Sequence, residues 1–200
     1  MLNLVLQDND RHALTNACDI GLKQAAAALS QLMGKPVRVE LPRLRILESG
    51  SLTGLEAMGE VTGIQLQIQG EVRGSILVLL ALENARSLLQ LLLGKLPESG
   101  EPWSELEAST LEELGNILAS ACLNALGNLL KLTLLPSIPT LECGEVADVL
   151  AHALGLPAEG ETVLMIDTTF TSTDIPISGS ILLIPASASL GAILSGLRSQ

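Results

Sequence analysis

The positions of apolar residues along the chain predict two long helices. Apolar and small residues recur at helical spacing through residues 10–33, and Gly34 and Pro36 then end the run. A second run, at 114–130, is seventeen residues long and carries no charge. Its three asparagines make it a poor membrane span, so we interpret it as a long core helix.

Shorter segments follow the first helix. Residues 37–47 and 59–69 alternate apolar with polar side chains, which is the pattern of half-buried strands. The more continuous apolar run at 75–82 is typical of a buried strand, and the leucine-rich run at 83–93 predicts a short helix. Residues 94–102 contain two prolines and two glycines and therefore predict a linker.

The pattern of the first half recurs after this linker. At an offset of 97 residues Pro42 aligns with Pro139, together with several aliphatic positions. Later in the chain the offset is 105, and the tetrapeptide Gly-Ser-Ile-Leu occurs at both 74–77 and 179–182. The eight extra residues fall in a region that predicts an added helical segment at 146–156.

These repeats predict one domain built from two homologous halves, 1–97 and 98–200. Each half would contain a long helix, about three strands and a short helix. Because neither half is long enough to bury a good core alone, we expect both halves to share one sheet. The expected fold is α+β with pseudo-two-fold symmetry: a mainly antiparallel sheet of about six strands, with two long helices packed on it.

The composition narrows the classes of function. The 200 residues are 48% hydrophobic and only 1% aromatic, so the core is aliphatic and sites that stack bases or sugars are disfavoured. A net charge of −11 at pH 7 opposes binding to nucleic acid or to an anionic membrane. The first ten residues lack the pattern of a secretory signal, so we expect a cytoplasmic protein.

The cysteines and histidines do not suggest a metal site. Cys18, Cys122 and Cys143 are far apart and form no Cys-x-x-Cys pair. We expect reduced thiols that pack as small apolar groups, rather than disulfides or a zinc site. The two histidines add no ligand cluster, so we predict that the protein holds no metal.

A polar stripe on the second long helix contains the candidate chemistry. Ser109, Glu113, Asn116 and Ser120 are spaced at i, i+4, i+7 and i+11, which places them on one helical face. Asparagine is a poor helix former, so Asn116 in the middle of a helix requires a reason. One reason is a solvated face or a hydrogen bond to a neighbouring element. The other is a carboxylate and an amide displayed together, which can hold a cationic group and orient a water.

The spacing Ser109-x3-Glu113-x2-Asn116-x22-Pro139 resembles the signature of the CheC, CheX and FliY phosphatases of bacterial chemotaxis. That signature has Asp or Ser, then Glu, then Asn, and finally a proline. The duplicated architecture also resembles the CheC and FliY members, so the similarity extends over nearly the whole chain. It implies a CheC-like fold for both halves together.

The resemblance implies a hydrolase that removes the phosphoryl group from the aspartate of a CheY-type response regulator. Glu113 would pair with a lysine of the regulator, and Asn116 would orient the attacking water. Ser109 and Pro139 would complete the motif, Pro139 by ending or bending the following strand. The regulator would supply its own Mg²⁺, so the phosphatase would need no cofactor of its own. A CheD-type deamidase is a further candidate partner.

The first half keeps the spacing of the motif but not its residue types. The corresponding sequence is His12-x3-Asn16-x2-Asp19-x22-Pro42. Asn16 cannot form a charge-assisted bond to a lysine, and Asp19 would place a negative charge against a phosphoryl group. We therefore predict that this second site is weak or inactive, either as a relic of duplication or as an altered docking surface.

Two other functions stay open at this point. One is a non-catalytic adaptor that binds a receiver domain or a CheD-like deamidase and only tunes signalling. The other is a flagellar-switch component similar to FliY. We disfavour the second, because the chain ends at Gln200 without room for a further switch-binding domain.

Overall fold

The computed structural model of the chain describes residues 7–48, 55–94, 103–154, 162–172 and 175–199. The helices in these ranges are α1 (Asp8–Met33), α2 (Leu82–Leu93), α3 (Glu105–Leu130), α4 (Val146–Leu154) and α5 (Leu190–Arg198). The strands are β1 (Val37–Val39), β2 (Arg43–Glu48), β3 (Glu60–Gly70), β4 (Gly74–Ala81), β5 (Leu134–Pro136), β6 (Thr140–Glu145), β7 (Thr162–Ser172) and β8 (Ile175–Pro185). Within these ranges no helix is both long and apolar enough to span a membrane.

The two long helices begin and end at signals that the sequence contains. At the start of α3, the Ser104 hydroxyl accepts a hydrogen bond from the Glu107 N–H, and the Glu107 carboxylate accepts one from the Ser104 N–H at 2.9 Å. At the start of α1, the Asp10 carboxylate accepts from the Gln7 N–H at 2.9 Å. α1 ends at Gly34, whose φ of 62° favours glycine. The first turn of α3 contains Glu105 and Glu107, so the helix begins ahead of the uncharged run at 114–130.

The other predicted elements are present within a few residues of their expected positions. β3, β4 and α2 follow α1 in the predicted order, and α4 is the added helical segment of the second half. Of the predicted linker, residues 95–102 lie outside the described residues.

The strands of the described residues form one antiparallel sheet. From one edge to the other, its order is β1 with β2, then β7, β8, β4 and β3, and finally β5 with β6. β1 and β2 pair with β7, whereas β5 and β6 pair with β3. Each predicted half therefore places its first strands against the long strand of the other half, so the sheet is complete only when both are present.

The sheet has eight strands, so the expectation of about six was wrong. The difference arises at the edges, where a bulge containing a proline divides each edge strand. At the first edge Val39 lies opposite Phe170, and Arg43 lies opposite Asp167. The edge strand thus advances four residues while β7 advances three, which defines the β1–β2 bulge around the buried Pro42.

The second edge has the same irregularity. Pro136 lies opposite Ile68, and Thr140 lies opposite Gln65, so four residues again face three in the β5–β6 bulge around Pro139. Proline has no N–H to donate to the ladder, and it is tolerated at an edge strand for that reason. Alternation of side chains continues on both sides of each bulge, which is why the sequence pattern suggested one strand where there are two.

The strand order is symmetric about the central pair, β4 and β8. Leu77 lies directly opposite Leu182 in this pair, and the two leucines close the two copies of the Gly-Ser-Ile-Leu repeat. About this point β3 corresponds to β7, and one bulged edge corresponds to the other. The origin of the halves 1–97 and 98–200 in a duplication stays a prediction.

The sheet separates two apolar cores. The main core lies on the face covered by α1 and α3, and it includes the fully buried Leu22, Ile64 and Leu111. A smaller core lies under α4 and includes Val149 and Met165. The long helices thus have one face in the main core, which leaves their other face for interaction.

Candidate functional site

The polar stripe predicted from the sequence lies on the outer face of α3. Ser109 and Glu113 are exposed, whereas Asn116 and Ser120 are half-buried. The opposite side of the helix, including Leu114, is buried in the main core. Because residues three apart on a helix are neighbours, the Glu113 carboxylate and the Asn116 amide are displayed side by side.

Glu113 is available to a partner. Within the described residues, its carboxylate has neither an ion pair nor a hydrogen-bond partner. Glu113 is the ninth residue of the 26-residue helix α3, so its backbone is fixed while its carboxylate is exposed to water. A solvated carboxylate of this kind can form a charge-assisted hydrogen bond to a cation brought by another protein.

Asn116 keeps most of its hydrogen-bonding capacity. The Ser120 hydroxyl donates to Asn116 Oδ1 at 3.4 Å, which is long for a bond between oxygens. In the part of the chain that the structure describes, the amide N–H groups have no partner. The amide can therefore accept from a water and donate to an oxyanion at the same time.

Gly115 sets the height of this part of α3 above the sheet. A Cβ atom at Gly115 would lie 2.9 Å from Ile64 Cβ and closer still to its Cγ2. Ile64 is on β3, directly opposite Leu141 of β6. The turn that carries Asn116 therefore lies above β3, close to the edge that contains the half-buried Pro139.

The corresponding positions of α1 are arranged differently. His12 and Asn16 are exposed and Asp19 is half-buried. Lys23 lies one turn after Asp19 and pairs with it at 2.7 Å. At the offset of 97 residues Lys23 corresponds to Ser120, so the first half contains an internal lysine where the second half has a hydroxyl. The internal ion pair neutralises the carboxylate that a partner would meet.

The cysteines are structural, as the sequence suggested. Cys18 and Cys122 are buried reduced thiols, and the Sγ of the half-buried Cys143 accepts a hydrogen bond from Trp103 Nε1 at 2.9 Å. Burial raises the pKa of the Cys18 thiol to about 12, and it raises the pKa of Cys122 as well. Among the described residues no group of three or more His, Cys, Asp or Glu is placed to hold a metal ion.

An open pocket of about 430 Å³ lies away from the stripe, at the edge formed by β2, β7 and β8. Its lining includes Leu41 and Asp167. Asp167 accepts from Arg45 Nη2 and from the Ser180 hydroxyl, each at 2.7 Å. The Asp167 carboxylate is thus bound within the chain, and none of the residues predicted for the site lines this pocket.

Two features of the site were missed by sequence reasoning. The Asp19–Lys23 pair had a signal, since acidic and basic residues four apart on a helix face commonly interact. The β5–β6 bulge had no comparable signal, because the count of residues facing β3 depends on the register of two strands that are distant in the chain.

Comparison with known proteins gives consistent relatives, although no family model matches the chain. The chain is 28% identical over 171 residues to the CheY-P phosphatase CheC of Bacillus subtilis strain 168, and the match covers 82% of this chain and 81% of that protein.

Solved structures share the fold at low sequence identity. FliY of Thermotoga maritima has a TM-score of 0.77 at 16% identity and covers 98% of both chains. FliM in the FliG–FliM complex from H. pylori has a TM-score of 0.70 at 13% identity, over 95% of this chain and 100% of that one. The CheX–CheY–BeF3–Mg²⁺ complex from Borrelia burgdorferi gives 0.56 at 18% identity, over 84% and 97%. The sequence match to CheC and the fold shared with FliY, FliM and CheX support the resemblance of this chain to the CheC, CheX and FliY family of chemotaxis proteins.

Proposed function

We propose that the protein is a phosphatase that hydrolyses the phospho-aspartate of a CheY-type response regulator, with Glu113 and Asn116 as the working pair. The observation that carries the proposal is the Glu113 carboxylate, which has no partner among the described residues, beside the Asn116 amide on the outer face of α3. The relative named CheY-P phosphatase CheC and the fold shared with CheX in a CheX–CheY complex support the same class of partner.

Phosphoryl transfer requires mainly positioning and charge stabilisation from the protein, so a carboxylate and an amide are sufficient. In the proposed complex Glu113 binds a lysine of the regulator and thereby fixes α3 against its active site. The Asn116 amide accepts a hydrogen bond from a water and holds it in line with the bond between phosphorus and the aspartate oxygen. The water oxygen bonds to phosphorus while the aspartate oxygen leaves with its electron pair. The products are the aspartate carboxylate and inorganic phosphate, which keeps both protons of the water.

The regulator would contribute the remaining charge stabilisation. Its own Mg²⁺ would neutralise the phosphoryl oxygens, so the proposal asks for no metal ligand from this chain. Ser109 lies one turn before Glu113 on the exposed side of the motif, and Pro139 shapes the neighbouring edge. In this scheme they support the site without touching the reacting atoms.

The first half would not contribute to the rate. Asn16 offers no charge to a lysine, and the Asp19 carboxylate is already paired with Lys23. One chain would therefore act on one regulator at a time, through α3.

The test is phosphate release from a phosphorylated CheY-type receiver, measured with and without the protein. We expect Glu113→Ala and Asn116→Ala each to lose about 100-fold of the acceleration, since loss of a positioning group commonly costs this much. Asn124→Ala is the matched control, because Asn124 is an exposed asparagine of the same helix about two turns beyond Asn116. Equal loss in all three variants would contradict the assignment.

A second candidate function is a non-catalytic adaptor that binds a receiver domain or a CheD-like deamidase. It is favoured by the altered motif of the first half and by the fold shared with FliM, which is seen in a complex with FliG. If the wild-type protein binds the phosphorylated receiver and does not accelerate phosphate release, the adaptor is the correct function.

A further inference from the structure

The β5–β6 bulge displays an isoleucine that the fold itself does not use. Ile138 is 85% exposed, the highest value among the large hydrophobic residues that the structure describes. Leu41, which occupies the corresponding position in the β1–β2 bulge, follows at 77%. Each of them immediately precedes the proline of its bulge, and they are related by the offset of 97 residues. The exposure is thus a feature of the bulge geometry in both halves.

Ile138 is held by a rigid backbone. The preceding residue, Ser137, donates its N–H to the Gln67 carbonyl at 2.8 Å and accepts from the Gln67 N–H through its hydroxyl at 2.9 Å. The Ser137 hydroxyl also donates to the Ile138 carbonyl at 2.8 Å, and Pro139 restricts the chain on the other side. Because the backbone at Ile138 is already restricted, a partner can bury this side chain with little loss of backbone entropy.

The bulge lies level with the turn of α3 that follows Asn116. Along β3 it stands at the level of Leu66, which is two residues, or about 7 Å, beyond Ile64. Gly115 packs on Ile64, and Gly127 packs near β5, so α3 runs in the same direction along the sheet. A distance of about 7 Å corresponds to about five residues of helix, so the bulge is level with the neighbourhood of Ser120, one turn after Asn116 on the same face of α3.

We infer that Ile138 is an apolar anchor through which the Glu113–Asn116 surface docks the receiver domain. This inference rests on the proposed function, because the partner is the same receiver domain that Glu113 and Asn116 are proposed to bind. Pro136 and Pro139 lack N–H groups, so this edge is a poor template for an added strand, and the contact is made by the side chain. Ile138 supplies affinity and takes no part in the hydrolysis.

The experiment separates binding from chemistry. Ile138→Ser is compared with wild type for KM and kcat of phosphate release, and for Kd toward a CheY-type receiver activated with beryllofluoride and Mg²⁺. We expect KM and Kd to rise about tenfold or more with kcat unchanged, because transfer of a buried isoleucine from water is worth at least that factor. Leu41→Ser is the matched control, since it removes an equally exposed residue from the half without the Glu–Asn pair, and it should leave all three values unchanged.

Three results would overturn the inference: unchanged KM and Kd in Ile138→Ser, a fall in kcat without a rise in KM, or equal rises in Ile138→Ser and Leu41→Ser. The outcomes also distinguish the two proposals. If wild type binds the activated receiver without accelerating phosphate release, and Ile138→Ser still weakens binding, the proposed phosphatase fails while the docking anchor stands. If wild type accelerates release and Ile138→Ser does not change KM, only the anchor fails.

Discussion

Replacement of Gly115 by alanine tests how α3 is supported on the sheet. The added Cβ would lie 2.9 Å from Ile64 Cβ and closer to Cγ2, and both atoms belong to a β-branched side chain that is fully buried in β3. Ile64 cannot rotate out of the way, so α3 must rise. Overpacking costs about 1–3 kcal/mol, and contacts under 3 Å with a side chain that cannot move belong to the upper part of that range. Because alanine regains about 1 kcal/mol of helix propensity, we expect a net destabilisation of about 1–2 kcal/mol.

The measurement is urea unfolding followed by the fluorescence of Trp103, which is the only tryptophan of the chain and is 9% exposed. A loss of this size lowers Tm by about 2–8 °C for a domain of this length. Gly191→Ala is the control, because a Cβ at Gly191 of α5 meets nothing within 4 Å and helix propensity alone should then apply. We expect it to be neutral or stabilising by up to about 1 kcal/mol.

A Gly115→Ala variant as stable as wild type would refute the close packing of α3 on β3. The same variant also connects stability with activity. Since Asn116 follows Gly115 directly, a rise of the helix displaces the amide from the surface that Ile138 shares. Under the proposed function, kcat should fall in Gly115→Ala and stay at the wild-type value in Gly191→Ala.

The remaining predictions concern the first half and the thiols. Removal of the Asn16 and Asp19 side chains should leave the rate of phosphate release unchanged, because one is uncharged and the other is bound to Lys23; a large loss of rate would show that the first half is active. Alkylation at mildly alkaline pH should label Cys18 only after unfolding, because burial raises its pKa to about 12 and thiolate is scarce in the folded state. Mass spectrometry of native and unfolded protein would measure this, and rapid labelling of native Cys18 would contradict its burial.

Local signals made much of the fold predictable. The apolar spacing and the Gly34 stop gave the first long helix, and the alternation at 59–69 gave β3 within one residue. These features depend on residues that are close in sequence, where side-chain periodicity and capping act directly. The strand count was wrong for the opposite reason. A bulge is defined by the number of residues on a partner strand, and β5 and β6 meet that partner, β3, only after α2 and α3 have intervened.

The candidate site shows the same division. Spacing alone placed Glu113 and Asn116 on one face of a helix, and it identified the altered residues Asn16 and Asp19. It did not show that Asp19 is paired with Lys23, or that Glu113 has no partner within the described residues, because rotamers and neighbouring elements decide both.

By itself, the sequence determined the helices, the repeat and the residue types of the motif, since each of these is set by local periodicity or by chemical identity. Only the tertiary structure decided that the two halves exchange their edge strands, and that the resulting bulges carry Leu41 and Ile138 into solvent. The physical reason is register. Antiparallel pairing of strands far apart in the chain fixes which residues are left over at an edge, and it leaves Leu41 at one edge of the sheet and Ile138 at the other.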